Sequence, residues 1–224
     1  MDSKTKLADL YSNHHQSRGR YGYLFCHGKR APYLKEWIGT EKKVLDIGCR
    51  DGELTKYYAE GNTITGVDID PKALEIIKEK LNIETLWLDV NSEWPFTESS
   101  YDHIVACEIL EHLFYSRSFL EKVAKTLKDG GSFLGSVPNA FRMRNRMKFL
   151  WGNEFETDPT HVHMFSHITL KALLSEFFED VEIVPVQGKI LPFLPVSDKT
   201  PLKLNRLFSR DLLWKASKPK KVQE

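Results

Sequence analysis

Short apolar runs alternate with stretches of helical spacing along most of the chain. Val44–Ile47 is a compact apolar run ending in glycines and reads as a buried strand. Thr63–Val67, Thr85–Leu88, Tyr101–Cys107 and Ser132–Val137 read as four more. Glu53–Glu60 fits a helix between the first two. Pro71 opens another, with Ala73, Leu74, Ile76, Ile77 and Leu81 at helical spacing. Ser116–Leu127 is a third, ended by Gly130–Gly131. Strands and helices in this rhythm imply a parallel sheet with right-handed crossovers. Such a sheet binds ligands beyond the C-terminal ends of its strands. The polar residues at those ends are Gly48–Gly52, Asp68, Asp89, Glu108 and Pro138–Asn139.

The flanking regions differ. Residues 1–40 are polar and helical with interleaved aromatics, among them Tyr11, Tyr21, Tyr23, Phe25, Tyr33 and Trp37. Arg142–Trp151 is a basic helix, Gly152–His167 a loop rich in His, Asp and Pro, and Leu170–Phe178 an amphipathic helix. Val181–Val186 reads as a strand, 188–210 as irregular, Leu212–Ala216 as a last strand, and SKPKKVQE as a frayed tail.

Composition narrows the class. The 224 residues suit one domain: a helical cap (1–40), a core (41–139), an insert (140–167), the second half of the sheet (168–217) and a tail (218–224). A net charge of +1 gives no global reason for a nucleic-acid or membrane partner. Cys26, Cys49 and Cys107 are odd in number and widely spaced, which fits reduced thiols. The N-terminus lacks a signal peptide's apolar core, and no run of 18 apolar residues occurs, so a cytoplasmic protein off the membrane is expected.

VLDIGCRDGEL (44–54) carries the first chemistry. Strand, glycine turn and helix start together bring backbone N–H groups to an anion. A dinucleotide fingerprint fails, because Arg50 and Glu53 stand where its second and third glycines belong, and no GK[ST] follows for a P-loop. Asp68, ending the second strand, suits a pair of ribose hydroxyls.

Taken together, VLDIGCRDGEL, TGVDID (65–70), LDV (88–90), DHIVACEILEHL (102–113) and LKDGGSFLGSVPN (127–139) resemble the class I S-adenosylmethionine-dependent methyltransferases in order and spacing. The resemblance is close over residues 42–139 and looser to about residue 217. It implies an α/β Rossmann-like fold: a seven-stranded, mostly parallel sheet with helices on both faces and the last strand antiparallel. It implies S-adenosylmethionine as cofactor. Asp46, with Gly48, Cys49, Arg50 and Gly52 of the turn, would frame the methionine end. Asp68 would hold the ribose, Ile69 pack on adenine, and Asp89 and Val90 meet the adenine amino group. Cys107 and Glu108 would lie near the sulfonium. Arg50 departs from the family's usual glycine, and two readings stay open: a salt bridge to the methionine carboxylate or acceptor, and a tolerated substitution facing solvent.

A base or metal is the remaining question. Were 108–112 helical, Glu108, Glu111 and His112 would share a face, with His161, His163 and His167 downstream. Two family branches, the ubiquinone-biosynthesis O-methyltransferases and the small-RNA 3′-end 2′-O-methyltransferases, carry ExxEH with a later His loop. The resemblance implies catalytic roles for Glu111, His112, His161 and His163, with Glu108, Glu111, His112 and His163 as candidate ligands of a divalent ion such as Mg2+. A metal-free base at His161 or His163 and a structural His pair stay open beside it. The basic stretch Arg142, Arg144, Arg146 and Lys148 suits either a solvated surface face or a lid for an anionic acceptor, while no aromatic platform favours nucleic acid. The expectation is O-methylation of a small molecule or sugar. The alternatives are N-methylation, RNA 2′-O-methylation and a cofactor-binding subunit without turnover. The oligomeric state is not legible.

Overall fold

A computed structural model describes residues 3–19, 21–23, 27–154, 158, 160–191, 194–195 and 200–220; Phe25, Cys26 and the end of the tail lie outside these. Five strands, β1 (Lys43–Ile47), β2 (Thr63–Asp68), β3 (Glu84–Trp87), β4 (Tyr101–Cys107) and β5 (Leu127–Pro138), run parallel in the spatial order β3-β2-β1-β4-β5. The sheet continues through β8 (Ser209–Pro219), antiparallel to both neighbours, and β6 (Phe178–Leu191). These seven strands are the expected sheet, with the last strand of the chain reversed. A two-residue strand, β7 (Leu194–Pro195), pairs with the outer edge of β6.

Side-chain alternation divides the core. Leu45, Ile47, Ile104, Ala106 and Phe133 pack with α4 (Ser116–Thr126) and α6 (His167–Phe177). Their neighbours in sequence, Val44, Val105 and Leu134, pack with α2 (His27–Ile38) on the opposite face. Period-two alternation thus supplies two apolar faces, each covered by helices. On α3 (Pro71–Leu81), Leu74 and Ile77 pack around Cys49. Asp70 caps this helix, its side chain accepting from Lys72 N and Ala73 N, and Pro71 starts it as expected.

Three expectations are corrected. The segment expected as helix 53–60 forms only a 3₁₀ turn, Thr55–Tyr57. Thr55 and Tyr58 are three apart and both donate hydroxyls to Asp46 Oδ2, at 2.6 and 2.8 Å; three residues per turn brings such a pair to one side. Second, α4 ends at Thr126, before the glycine pair, and β5 begins at once. Residues 128–131 are looped out, since Tyr101 pairs with Leu127 but His103 pairs with Ser132. Third, 188–210 is more regular than expected. It holds the end of β6, then β7, then α7 (Leu202–Phe208), and β8 outruns the expected Leu212–Ala216 at both ends.

Candidate functional site

A cleft of about 800 Å³ opens beyond the C-terminal ends of β1, β2, β4 and β5, in the size range of small-ligand sites. Its floor is the turn after β1. Gly48 adopts φ +73°, and a Cβ there would collide with Ile109. The N–H groups of Gly48 and Cys49 donate to Val67 O, and that of Gly52 to Cys49 O. No α-helix begins here, so the expected helix terminus is replaced by this self-bonded turn.

Arg50 holds φ +48°, an unusual conformation for a side chain larger than glycine. Its N–H donates to Asp68 Oδ2 at 2.9 Å. Its side chain pairs with Asp51 at 3.0 Å and donates to the Tyr23 carbonyl at 2.6 Å. Arg50 thus does not point freely to solvent: it ties the segment before α2 to the turn while still lining the cleft, where a contact with a ligand carboxylate stays open. Asp51 adds a bond from Gly22 N, and Asp70 draws in Ser12, His15 and Tyr21 from α1 (Ser3–Ser17) and its following loop. Those bonds hold Asp70's carboxyl well below the usual carboxylate range, although burial is the largest single influence and opposes them.

Asp68 lies buried at the end of β2. One oxygen accepts from Arg50 N and the other from Asp70 N at 2.9 Å. Each carboxylate oxygen has two lone-pair directions, so one on each remains for a ligand hydroxyl. Burial pushes its carboxyl up, against those two N–H bonds. Asp46 is pushed up to about 6, again by burial, with the Thr55 and Tyr58 hydroxyls opposing. Ile69, Asp89 and Val90 line the same wall. Asp89 Oδ1 accepts from Asn91 N at 3.0 Å, and the Ile69 carbonyl accepts from Trp87 Nε1 at 2.7 Å. Burial pushes the Cys107 thiol up to about 12 and Cys49 well upward, so both remain neutral thiols without nucleophilic character.

The opposite end of the cleft is built after β4. Glu108 takes φ +59°, which swings it away from a helical face. It accepts from Ser136 Oγ at 2.8 Å and pairs with the buried Arg30 at 3.0 Å. Glu108 therefore does not join Glu111 and His112, because 108–112 is not one helix; only Leu110–His112 makes a 3₁₀ turn. His163 is also set apart: it is exposed, with its ring 6.0 Å from Phe165. His161 takes the place expected of it. Glu111, His112 and His161 each offer an atom within 4.8 Å of the others, and the His112 and His161 ring centroids are 4.7 Å apart.

These three differ electrostatically. Glu111 is 2% exposed, with neither carboxylate oxygen hydrogen-bonded. Burial first and the Glu108 charge second push its carboxyl well upward. His112 Nδ1 lies 3.0 Å from the Thr160 carbonyl, which assigns the proton to Nδ1 and leaves the Nε2 lone pair open. Burial lowers its pKa, so the ring is neutral at physiological pH. His167 is a core histidine at the start of α6, pushed down to about 4 by burial.

Spacing did not signal several residues here. Arg30 arrives on α2 and Asp211 on β8, both buried beside Glu108. Burial, then the Glu108 charge, push Asp211 up to about 7 against the pull of Arg30. Asn139, singled out for its place after β5, pins β8 instead: its N–H donates to the Arg210 carbonyl at 2.7 Å and its amide to Ser209 O at 3.1 Å.

The sheet order, the turn under the cleft and Asp68 at the end of β2 together match one family of cofactor-binding folds. A family model described as a methyltransferase domain matches residues 18–181, well over half the chain. The chain is a class I S-adenosylmethionine-dependent methyltransferase. A ubiquinone biosynthesis O-methyltransferase of Nitrosomonas europaea is 33% identical over 130 residues, 54% of each protein. A demethylmenaquinone methyltransferase of Tropheryma whipplei is 31% identical over 109 residues, 47% of this chain and 46% of that one. The chain thus matches about half the length of these curated relatives. A crystal structure of an S-adenosylmethionine-dependent methyltransferase from Archaeoglobus fulgidus superposes with a TM-score of 0.64 at 21% identity, covering 94% of both chains. That likeness carries the fold of this methyltransferase. Its cofactor follows from the family, and no described helix is long and apolar enough to cross a membrane.

Proposed function

We propose that this methyltransferase transfers the methyl group to a hydroxyl oxygen of a small-molecule or sugar acceptor bearing an anionic group. The observation that carries this reading is the neutral His112, with Nδ1 committed to Thr160 and Nε2 open, beside His161 in the cleft wall. A hydroxyl must lose its proton as its oxygen attacks, whereas an amine needs only its neutral form. The cofactor's sulfonium is already activated, so the protein's task is alignment and proton removal. When bound, the cofactor would supply an activated methyl group to the acceptor oxygen, its own sulfur becoming a neutral thioether as the carbon–sulfur bond breaks. His112 Nε2 takes the proton that the acceptor hydroxyl loses.

Asp46, Gly48, Cys49 and Gly52 are proposed to face the methionine end, with Arg50 acting through Asp68 rather than by touching the ligand. Asp68 is assigned the ribose, Ile69, Asp89 and Val90 the adenine, and Cys107 and Glu108 the sulfonium end. Arg142, Arg144, Lys148 and Arg210 line the outer cleft and suit an acceptor phosphate or carboxylate. The O-methyltransferase name of the Nitrosomonas europaea relative supports an oxygen acceptor without naming this chain's own.

A second reading adds a divalent ion. The donor set fits one: the bare Glu111 oxygens, His112 and His161 converge, and a buried carboxylate without partners is stabilised by a cation. When bound, such an ion would lower the pKa of the acceptor hydroxyl. Incubation with acceptor fractions and isotopically labelled methyl donor, with and without chelator, tests both. Label on oxygen is expected. Label on nitrogen alone overturns the oxygen reading, and full activity in excess chelator overturns the metal.

A further inference from the structure

Helix α5 (Met143–Leu150) borders the cleft, and none of its residues is buried. Met143, Met147, Leu150 and Trp151 follow i, i+4, i+7, i+8 spacing and share one face. Leu150 and Trp151 are 74% and 69% exposed, and Phe149 is 69% exposed beside them. The neighbouring α7 adds exposed Leu202 and Leu204. Arg144, Arg146 and Lys148 intersperse this surface, and among the described residues no carboxylate pairs with any of them. Arg144 and Lys148 also line the cleft, as does the exposed Phe114, so this surface borders the cleft's mouth.

We infer that α5 is an interfacial helix that seats the cleft's mouth on an anionic phospholipid surface. Projecting Trp, Phe and Leu side chains together with unpaired Arg and Lys are the features that hold a helix in the headgroup layer. The same charges argue against a second copy of this chain, because a two-fold interface would press Arg144, Arg146 and Lys148 against themselves. A net charge of only +1 offers no global reason for a membrane partner; the local patch supplies one, with no spanning helix among the described residues. The inference extends the proposed function by placing the acceptor's approach at a lipid surface, and its vesicle-binding test does not depend on methyl transfer.

Sedimentation of the full chain with vesicles tests it. Partitioning onto phosphatidylcholine–phosphatidylglycerol vesicles is expected to exceed that onto pure phosphatidylcholine by about tenfold or more, and to weaken with added salt. The Leu150→Asp, Trp151→Asp double variant is expected to lose about tenfold, and Arg146→Glu a smaller amount, with thermal stability and cofactor affinity retained. In the conservative Trp151→Phe variant, quenching of tryptophan fluorescence by brominated lipid should fall while partitioning stays near wild type. No partitioning of the wild type, equal partitioning of the double variant, or unchanged quenching in Trp151→Phe would each overturn the inference. So would a wild-type dimer that the double variant converts to monomer without any vesicle binding, or a protein partner bound in place of lipid.

Discussion

The two ends of the cleft are built on opposite terms. At the end proposed for the cofactor the polar groups are already engaged: Asp46 by Thr55 and Tyr58, Asp68 by the N–H groups of Arg50 and Asp70, and the turn by its own backbone bonds. At the end proposed for the acceptor the Glu111 carboxyl has no hydrogen-bond partner, the His112 and His161 rings lie 4.7 Å apart, Asp211 is pushed up to about 7 and no residue of α5 is fully buried. Pre-bonded carboxylates hold a fixed geometry at little further ordering cost, which suits a ligand that never changes. Orphaned groups are unfavourable until something completes them, and the acceptor is the molecule left to do so.

The contrast can be broken first at the histidines. Loss of the base should lower kcat by about a hundredfold or more in His112→Ala, measured in steady-state methyl transfer, with cofactor affinity unchanged. A rise in cofactor Kd of the same size would erase the distinction between the two ends.

Asp211 offers a smaller effect with a defined sign. Its carboxyl titrates near 7 in the fold and about 3.9 in the unfolded chain, so the folded state holds the proton more tightly. The Asp211 contribution to stability is therefore fully present below about pH 4 and is lost as the pH rises toward about 7. Asp46, pushed up to about 6, contributes in the same direction. Thermal melts of Asp211→Asn should show a flatter decline over this window and a higher Tm than wild type at pH 8. An unchanged slope would mean that Arg30 already neutralises the charge.

The smallest effect is expected at Arg50→Gly. Removing a side chain from φ +48° relieves about 1 kcal/mol, while losing the Asp51 pair and the Tyr23 contact costs about as much. The melting temperature should move little and cofactor Kd by less than about threefold. A tenfold loss of affinity would place the guanidinium on the cofactor after all.

The legibility of the sequence follows the same division. Strands β1 to β5, the turn and Asp68 rest on local signals, namely apolar runs, glycines and a carboxylate at a strand end. What failed depended on distant partners. A 3₁₀ turn replaced helix 53–60 because two hydroxyls converge on Asp46, and Glu108 left the ExxEH face because Arg30 and Ser136 hold it. Asp211 reaches the cleft only through the pairing of β8 with β5, where it stands opposite Pro138. No spacing within a segment encodes that register.

We propose that cofactor recognition rests on Asp68 and is separate from the acceptor-side histidines. Calorimetric titration of S-adenosylmethionine into wild type, Asp68→Ala and His112→Ala tests it most directly. Two hydrogen bonds to a charged acceptor, each worth about 1.5–3 kcal/mol, predict a loss of about a hundredfold or more in Asp68→Ala and none in His112→Ala. Wild-type affinity in a folded Asp68→Ala protein would contradict the account.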